Sequence, residues 1–295
     1  MNKALFKEYH PLVLFSYYFV MLLIVMSTTN PVILSICFFG SLFLQLVHLK
    51  EKKKKSVFYP LFFLAIITIT NPLFVHRGAT ILFFLFNKPI TKEAFIYGFF
   101  MGMMIATVIY CFQNLQAAID SEHFFYLFGK RFPKATLILA LVFRFIPLLQ
   151  NYYRELNQVQ TTVQQMPKQR FSDRAFYGLD LFGQLFSWSL ENAMDTADSM
   201  KARGYGMMTR SSRLSYRLSK TDLLLLILFL LSGIFFIVGM VKGRYQFNYY
   251  PYYDHSYLLV QQYWPNYLIV FILAFIPLFN RVGEVIAWTI LKSRI

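Results

Sequence analysis

The sequence predicts an all-α integral membrane protein of about six transmembrane helices, with two long amphipathic helices reaching into the cytoplasm. Three observations carry that class. Charged side chains make up 15% of the 295 residues, against roughly 25% in soluble domains. Charge-free runs recur at lengths that suit a membrane span, which needs about 20 apolar residues. The cations also cluster between those runs, with Lys50, Lys52, Lys53, Lys54 and Lys55 in one short connection.

Residues 11–46 carry no charged side chain, which is too long for one span. Ser27-Thr28-Thr29-Asn30-Pro31 divides them into spans one and two. The lysines before span one resemble the start of a signal peptide, but no small-residue cleavage site follows, so the segment is expected to be retained. Span three is expected at 56–75, broken near its outer end by Asn71-Pro72. Proline supplies no backbone donor and moves the preceding residue out of the helical region. That break reads as a kinked helix end, the alternative being a flexible rim where another membrane subunit docks. The apolar piece at 79–86 is too short to cross and reads as re-entrant or interfacial.

Spans four, five and six are expected at 94–119, 223–241 and 256–280. Tyrosines on both sides of Pro251 read as a headgroup-zone belt, where a ring with one polar end is favoured. An extracellular solute site is the rival reading, with no arrangement of charges to support it. Three blocks result: a membrane block at 1–119, a charged middle block at 120–220 and a closing membrane block at 221–295.

The formal net charge is +15, from 29 Lys and Arg against 14 Asp and Glu. Six spans with both termini cytoplasmic place Lys3, Lys7, Lys50–Lys55, Lys292 and Arg294 inside, as the positive-inside rule prefers. The middle block is then cytoplasmic as well. Arg77, Lys88, Lys92, Lys242 and Arg244 are the exceptions, falling outside. Nucleic acid is not an expected partner, because no aromatic interleaving or recognisable module accompanies the cations.

In the middle block, residues 133–165 read as one helix, apolar in its first half except for Arg144 and for Lys134 at its start, and polar in its second. Such a helix would enter the membrane boundary and continue into the cytoplasm. Pro167 ends it, and Ser172 or Asp173 is expected to cap the next helix, which runs to about Arg203. Leu179, Phe182, Phe186, Leu190, Ala193, Ala197 and Met200 recur every three or four residues, a stripe expected to pack on the preceding helix. Glu191, Asp195 and Asp198 fall on another face and read as solvated, the alternative being a carboxylate site. Arg210, Arg213, Arg217 and Lys220 alternate with Leu214 and Leu218, an interfacial pattern suited to anionic lipid.

Enzymatic motifs do not assemble. The five histidines are scattered, and neither a phosphate-binding Gly-rich loop nor G-x-S-x-G is present. Cys37 and Cys111 each lie within a span and read as packing residues, and no metal or cofactor is expected. The spans hold almost no ionisable residues, which speaks against a channel or secondary transporter.

At "ADSMKARGYG" the chain resembles the transmembrane T component of energy-coupling factor (ECF) transporters, the CbiQ/EcfT family of vitamin and metal importers. The likeness is strongest from "LALVFRFIPLL" at 139–149 through "KARGYG" at 201–206. It implies that the cytoplasmic helices are coupling helices. Each would end in an Ala-Arg-Gly-like motif inserted into a groove on one of two ATP-binding-cassette ATPase subunits. Ala202, Arg203 and Gly204 would be the second such motif. The first falls at Thr162, Val163 and Gln164, where no arginine stands; Gln160, Lys168 and Arg170 are the nearest polar substitutes.

The residues suit the role. Gly204 permits the left-handed conformation that ends a helix, Arg203 can pair with a carboxylate, and Ala202 keeps the tip thin. The expected function is a non-catalytic scaffold in the cell membrane. It would transmit ATPase movement to a small substrate-binding membrane subunit. A permease of another ATP-binding-cassette class and a membrane-embedded enzyme are the alternatives.

Overall fold

The structure is a computed structural model and describes residues 9–48, 54–85, 88–129, 131–163, 171–207, 216, 218–243, 245, 247–251 and 264–292. Its helices are α1 (Pro11–Ser27), α2 (Pro31–His48), α3 (Lys54–Phe74), α4 (Lys92–Ala118), α5 (Ser121–Gly129), α6 (Pro133–Val163), α7 (Phe171–Ala202), α8 (Lys220–Val241) and α9 (Trp264–Lys292). One hairpin, β1 (Ile81–Leu85) and β2 (Lys88–Thr91), lies between α3 and α4. The all-α class holds. The chain divides into two compact units, one of residues 1–124 with 216–295 and one of residues 125–215.

By length and composition, four helices can cross a membrane, within Ser56–Phe74, Lys92–Ala118, Pro133–Gln160 and Lys220–Val241. The apolar helices Pro11–Ser27, Pro31–Leu46 and Trp264–Phe279 are shorter. α6, expected to enter the membrane boundary and continue into the cytoplasm, is thus among the helices long and apolar enough to cross.

In the first unit α1 is the central helix, buried at Leu14, Tyr17, Tyr18, Met21 and Ile24. It begins where expected, with Pro11 in its first turn and His10 Nδ1 accepting from the Leu12 N–H at 3.2 Å. α8 packs on it with the Phe229 ring against Tyr17, and α2 packs on α4 and α9. Cys37 and Cys111 are buried free thiols in this core.

Glycine brings several helices close. Gly98 and Gly102, four apart on α4, face α3: a Cβ on Gly98 would lie 2.8 Å from Asn71 Cβ, and one on Gly102 2.9 Å from Leu64 O. This is the small-xxx-small seam by which membrane helices approach one another. Polar links join α2, α3 and α4, from Gln45 Nε2 to Ser56 Oγ at 3.0 Å and from Ser56 Oγ to Gln113 Oε1 at 3.0 Å.

Several expectations require correction. α3 does not break at Asn71-Pro72 but continues to Phe74, with the Val75 N–H donating to Asn71 O at 2.9 Å. Proline removes only one donor there, and the α4 seam supports the turn: Asn71 Nδ2 donates to Ala94 O at 2.7 Å. The 79–86 segment, expected as a re-entrant or interfacial piece, is built as a strand, with Ile81–Leu85 forming β1. Tyr245 and Tyr249, expected in a headgroup belt, are buried. Tyr245 stacks on Phe236 at 4.2 Å, and Tyr249 Oη donates to Thr29 O at 2.7 Å. α7 starts at Phe171, so Ser172 and Asp173 lie inside its first turn. α9 begins at Trp264 and runs past 280 to Lys292, while 252–263 fall outside the described residues. Lys3, Lys7, Lys50, Lys52, Lys53, Arg210, Arg213, Leu214, Arg217, Arg244 and Arg294 also fall outside them.

Candidate functional site

The second unit is built on α6 and α7. Their contact runs along one face of α7, where Tyr177, Leu181, Leu185, Trp188, Asn192 and Thr196 are buried or half-buried at spacings of three and four. Trp188 stacks on Tyr152 of α6 with centroids 4.3 Å apart and planes 13° from parallel. Tyr177 Oη donates to Asn157 Oδ1 at 2.9 Å, and Gln160 Nε2 donates to Asp180 Oδ2 at 3.3 Å.

This is a different face from the one expected. The stripe from Leu179 to Met200 does not form the helix pair: Leu179, Phe182 and Phe186 are 64%, 65% and 54% exposed. The polar half of α6 explains the choice, since Tyr152, Asn157 and Gln160 find ring and hydrogen-bonding partners in Trp188, Tyr177 and Asp180. Sequence reading missed Tyr152 and Trp188; their signal was two amphipathic aromatics among polar neighbours. Glu191, Asp195 and Asp198 are exposed, and Asp198 pairs with Lys201 at 3.4 Å.

The end of α7 has a specific geometry. Ala202 is its last residue, and Gly204 has φ +78°. The Tyr205 N–H donates to Met200 O at 3.0 Å and the Gly204 N–H to Lys201 O at 2.9 Å. These are the paired bonds of a Schellman cap with glycine at its left-handed position. The Met207 N–H then donates to Gly204 O at 3.1 Å, and Gly206 is also left-handed at φ +92°. The chain thus closes on itself within a few residues. Lys201, Ala202 and Arg203 are exposed, and Arg203 has no ion-pair partner among the described residues.

The other candidate tip falls only partly within the described residues. Thr162 is exposed near the end of α6, its hydroxyl donating to Gln158 O at 2.8 Å. Val163 is the last residue of α6, while Gln164, Pro167, Lys168 and Arg170 lie outside the described residues. Among the described residues, no group of three His, Cys, Asp or Glu is placed to hold a metal.

A family model described as CbiQ, cobalt transport protein, matches residues 7–216. That range takes in α1 through α7, the Tyr152–Trp188 stack and the capped tip. No curated protein matches the chain.

Proposed function

The chain belongs to the CbiQ family of cobalt transport proteins and is a membrane component of a transporter of the cobalt/ECF type; on that premise we propose that it is the coupling scaffold of an ATP-driven importer. α6 and α7 are its coupling helices, and Ala202, Arg203 and Gly204 form the tip held in a groove of one of two ATPase subunits. The tip lies in the cytoplasm, in a multi-pass protein of the cell membrane with both termini inside. The substrate, a vitamin or metal ion, is carried by a separate small membrane subunit. The protein itself catalyses nothing.

The exposed, self-closed end of α7 is the observation that carries this reading. The tip is formed before any partner arrives and presents a guanidinium that has no ion-pair partner among the described residues. A matching carboxylate would complete a charged hydrogen bond of about 1.5–3 kcal/mol. The outward stripe of Leu179, Phe182 and Phe186 supports the remainder, since large apolar patches mark sites that another subunit covers. A path through the chain has no comparable support. The groove of ≈ 630 Å³ between α8 and α9 is lined by aliphatic and aromatic side chains, and the hydroxyl of its one polar residue, Ser232, donates to Phe229 O.

Arg203→Glu tests the proposal. ATP-driven uptake should be abolished while membrane insertion stays intact, and Thr162→Ala or Val163→Ala should do less. Unchanged uptake in Arg203→Glu defeats the assignment. A larger loss in Thr162→Ala than in Arg203→Glu reverses the ranking of the two tips.

A further inference from the structure

The β1–β2 hairpin joins the end of one membrane-length helix, α3, to the start of another, α4, so it must lie at one bilayer boundary. Its base is fixed by polar contacts. Gly78 has φ +143°, and a Cβ there would lie 2.6 Å from Glu93 Oε2 and 2.8 Å from Thr91 Oγ1. Glu93 is 3% exposed and accepts from the Thr80 hydroxyl at 2.8 Å and the Thr80 N–H at 3.3 Å. Thr91 Oγ1 donates to Arg77 O at 2.8 Å, and the Lys92 N–H to Thr80 O at 3.0 Å.

The projecting part of the hairpin has the opposite character. Ile81, Leu82, Phe83 and Phe84 are all exposed, and Phe83 and Phe84, on opposite faces of the strand, are 53% and 66% so. Exposed cations surround them: Arg77 and Lys92 at the base and Lys88 opposite Leu85. These three are among the cations that the positive-inside rule leaves on the wrong side.

We propose that this hairpin is a lipid-docking element, seated in the headgroup zone at the α3–α4 end of the bilayer, with its apolar side chains reaching the upper acyl region and Arg77, Lys88 and Lys92 holding anionic phosphates. A protein covering one face of the strand would leave either Phe83 or Phe84 in water, whereas a lipid layer covers both. A two-stranded sheet has unpaired backbone at its edges, which hydrocarbon does not satisfy and the hydrated headgroup zone does. The cations complete the fit, because basic residues near a membrane surface attract anionic lipid. Among the described residues, none of the three cations forms an ion pair with a carboxylate.

The full-length chain carrying Cys37→Ala, Cys111→Ala and Phe84→Cys, labelled at position 84 with an environment-sensitive nitrobenzoxadiazole dye, provides the test. It is reconstituted into vesicles of phosphatidylcholine alone or with phosphatidylglycerol. Quenching is compared between phospholipids bearing a shallow doxyl group and aqueous iodide. In the anionic vesicles the shallow doxyl lipid should quench at least twofold more than iodide. Arg77→Gln, Lys88→Gln and Lys92→Gln together should reduce that doxyl quenching about twofold in anionic vesicles and leave it unchanged in phosphatidylcholine. Quenching by iodide without doxyl quenching overturns the proposal, because the hairpin then stands in water. So does a label shielded only once a membrane partner protein is co-reconstituted, which makes the occupant a protein. Equal doxyl quenching in the triple variant and the parent in anionic vesicles overturns the phosphate contacts.

Discussion

Replacing Gly204 probes the tip without touching its charge. At φ +78° an L-residue with a Cβ incurs a penalty of about 1–2 kcal/mol. Sterics add nothing, because the nearest atom to a new Cβ is Met207 Sδ at 3.6 Å, an ordinary contact. Gly204→Ala therefore carries the backbone penalty alone, and Gly204→Asn less, since asparagine tolerates the left-handed region. A penalty of one to two kcal/mol changes an equilibrium by a factor of about 5–30. Binding that requires the closed tip is weakened by the fraction of molecules that lose it, so this factor is the ceiling on the rise in Kd. The assay is the affinity of the reconstituted chain for its ATPase subunits, with helicity followed by circular dichroism. The expected order of affinity is wild type, then Asn, then Ala, at unchanged helicity. An Ala variant as tight as wild type, or an Asn variant weaker than Ala, refutes the idea that the capped conformation presents Arg203.

The glycines of α4 and α7 should respond oppositely to added volume. Gly102→Leu forces a side chain against Leu64 O and should cost about 1–3 kcal/mol or more, read as a lower Tm in detergent. Gly183→Ala, with nothing within 4 Å of a new Cβ, should be neutral or stabilising by about 0.5–1 kcal/mol. The stack between α6 and α7 should give a coupling energy of about 0.5–1.5 kcal/mol in a double-mutant cycle of Tyr152→Ala and Trp188→Ala. A coupling near zero would mean that the stack does not hold the pair.

What was legible in the sequence was local chemistry. The Ser27–Pro31 break separates α1 from α2 where expected, because Pro31 can open a helix. Lys201-Ala202-Arg203-Gly204 likewise ends α7 with glycine in its left-handed position. What was not legible depended on partners distant in the chain. Apolar periodicity on α7 identified a stripe but not its occupant, and the polar residues of α6 selected another face. Hydropathy showed that 79–86 was short and apolar. Its pairing with β2 depends on the contacts of Gly78, Thr80, Thr91 and Glu93, which no single stretch reveals. The helical course through Pro72 depends on α4 lying close enough for Asn71 to reach Ala94 O.

The glycine seam between α3 and α4 has a mechanical consequence. Where Gly98 and Gly102 meet Asn71 and Leu64, no flexible side chains separate the backbones, so the joint has little slack to absorb a displacement. Tilting α4 therefore tilts α3, and the hairpin strung between their ends turns with them as an outrigger. A displacement of either helix is therefore passed on to the base of the hairpin rather than taken up at the seam.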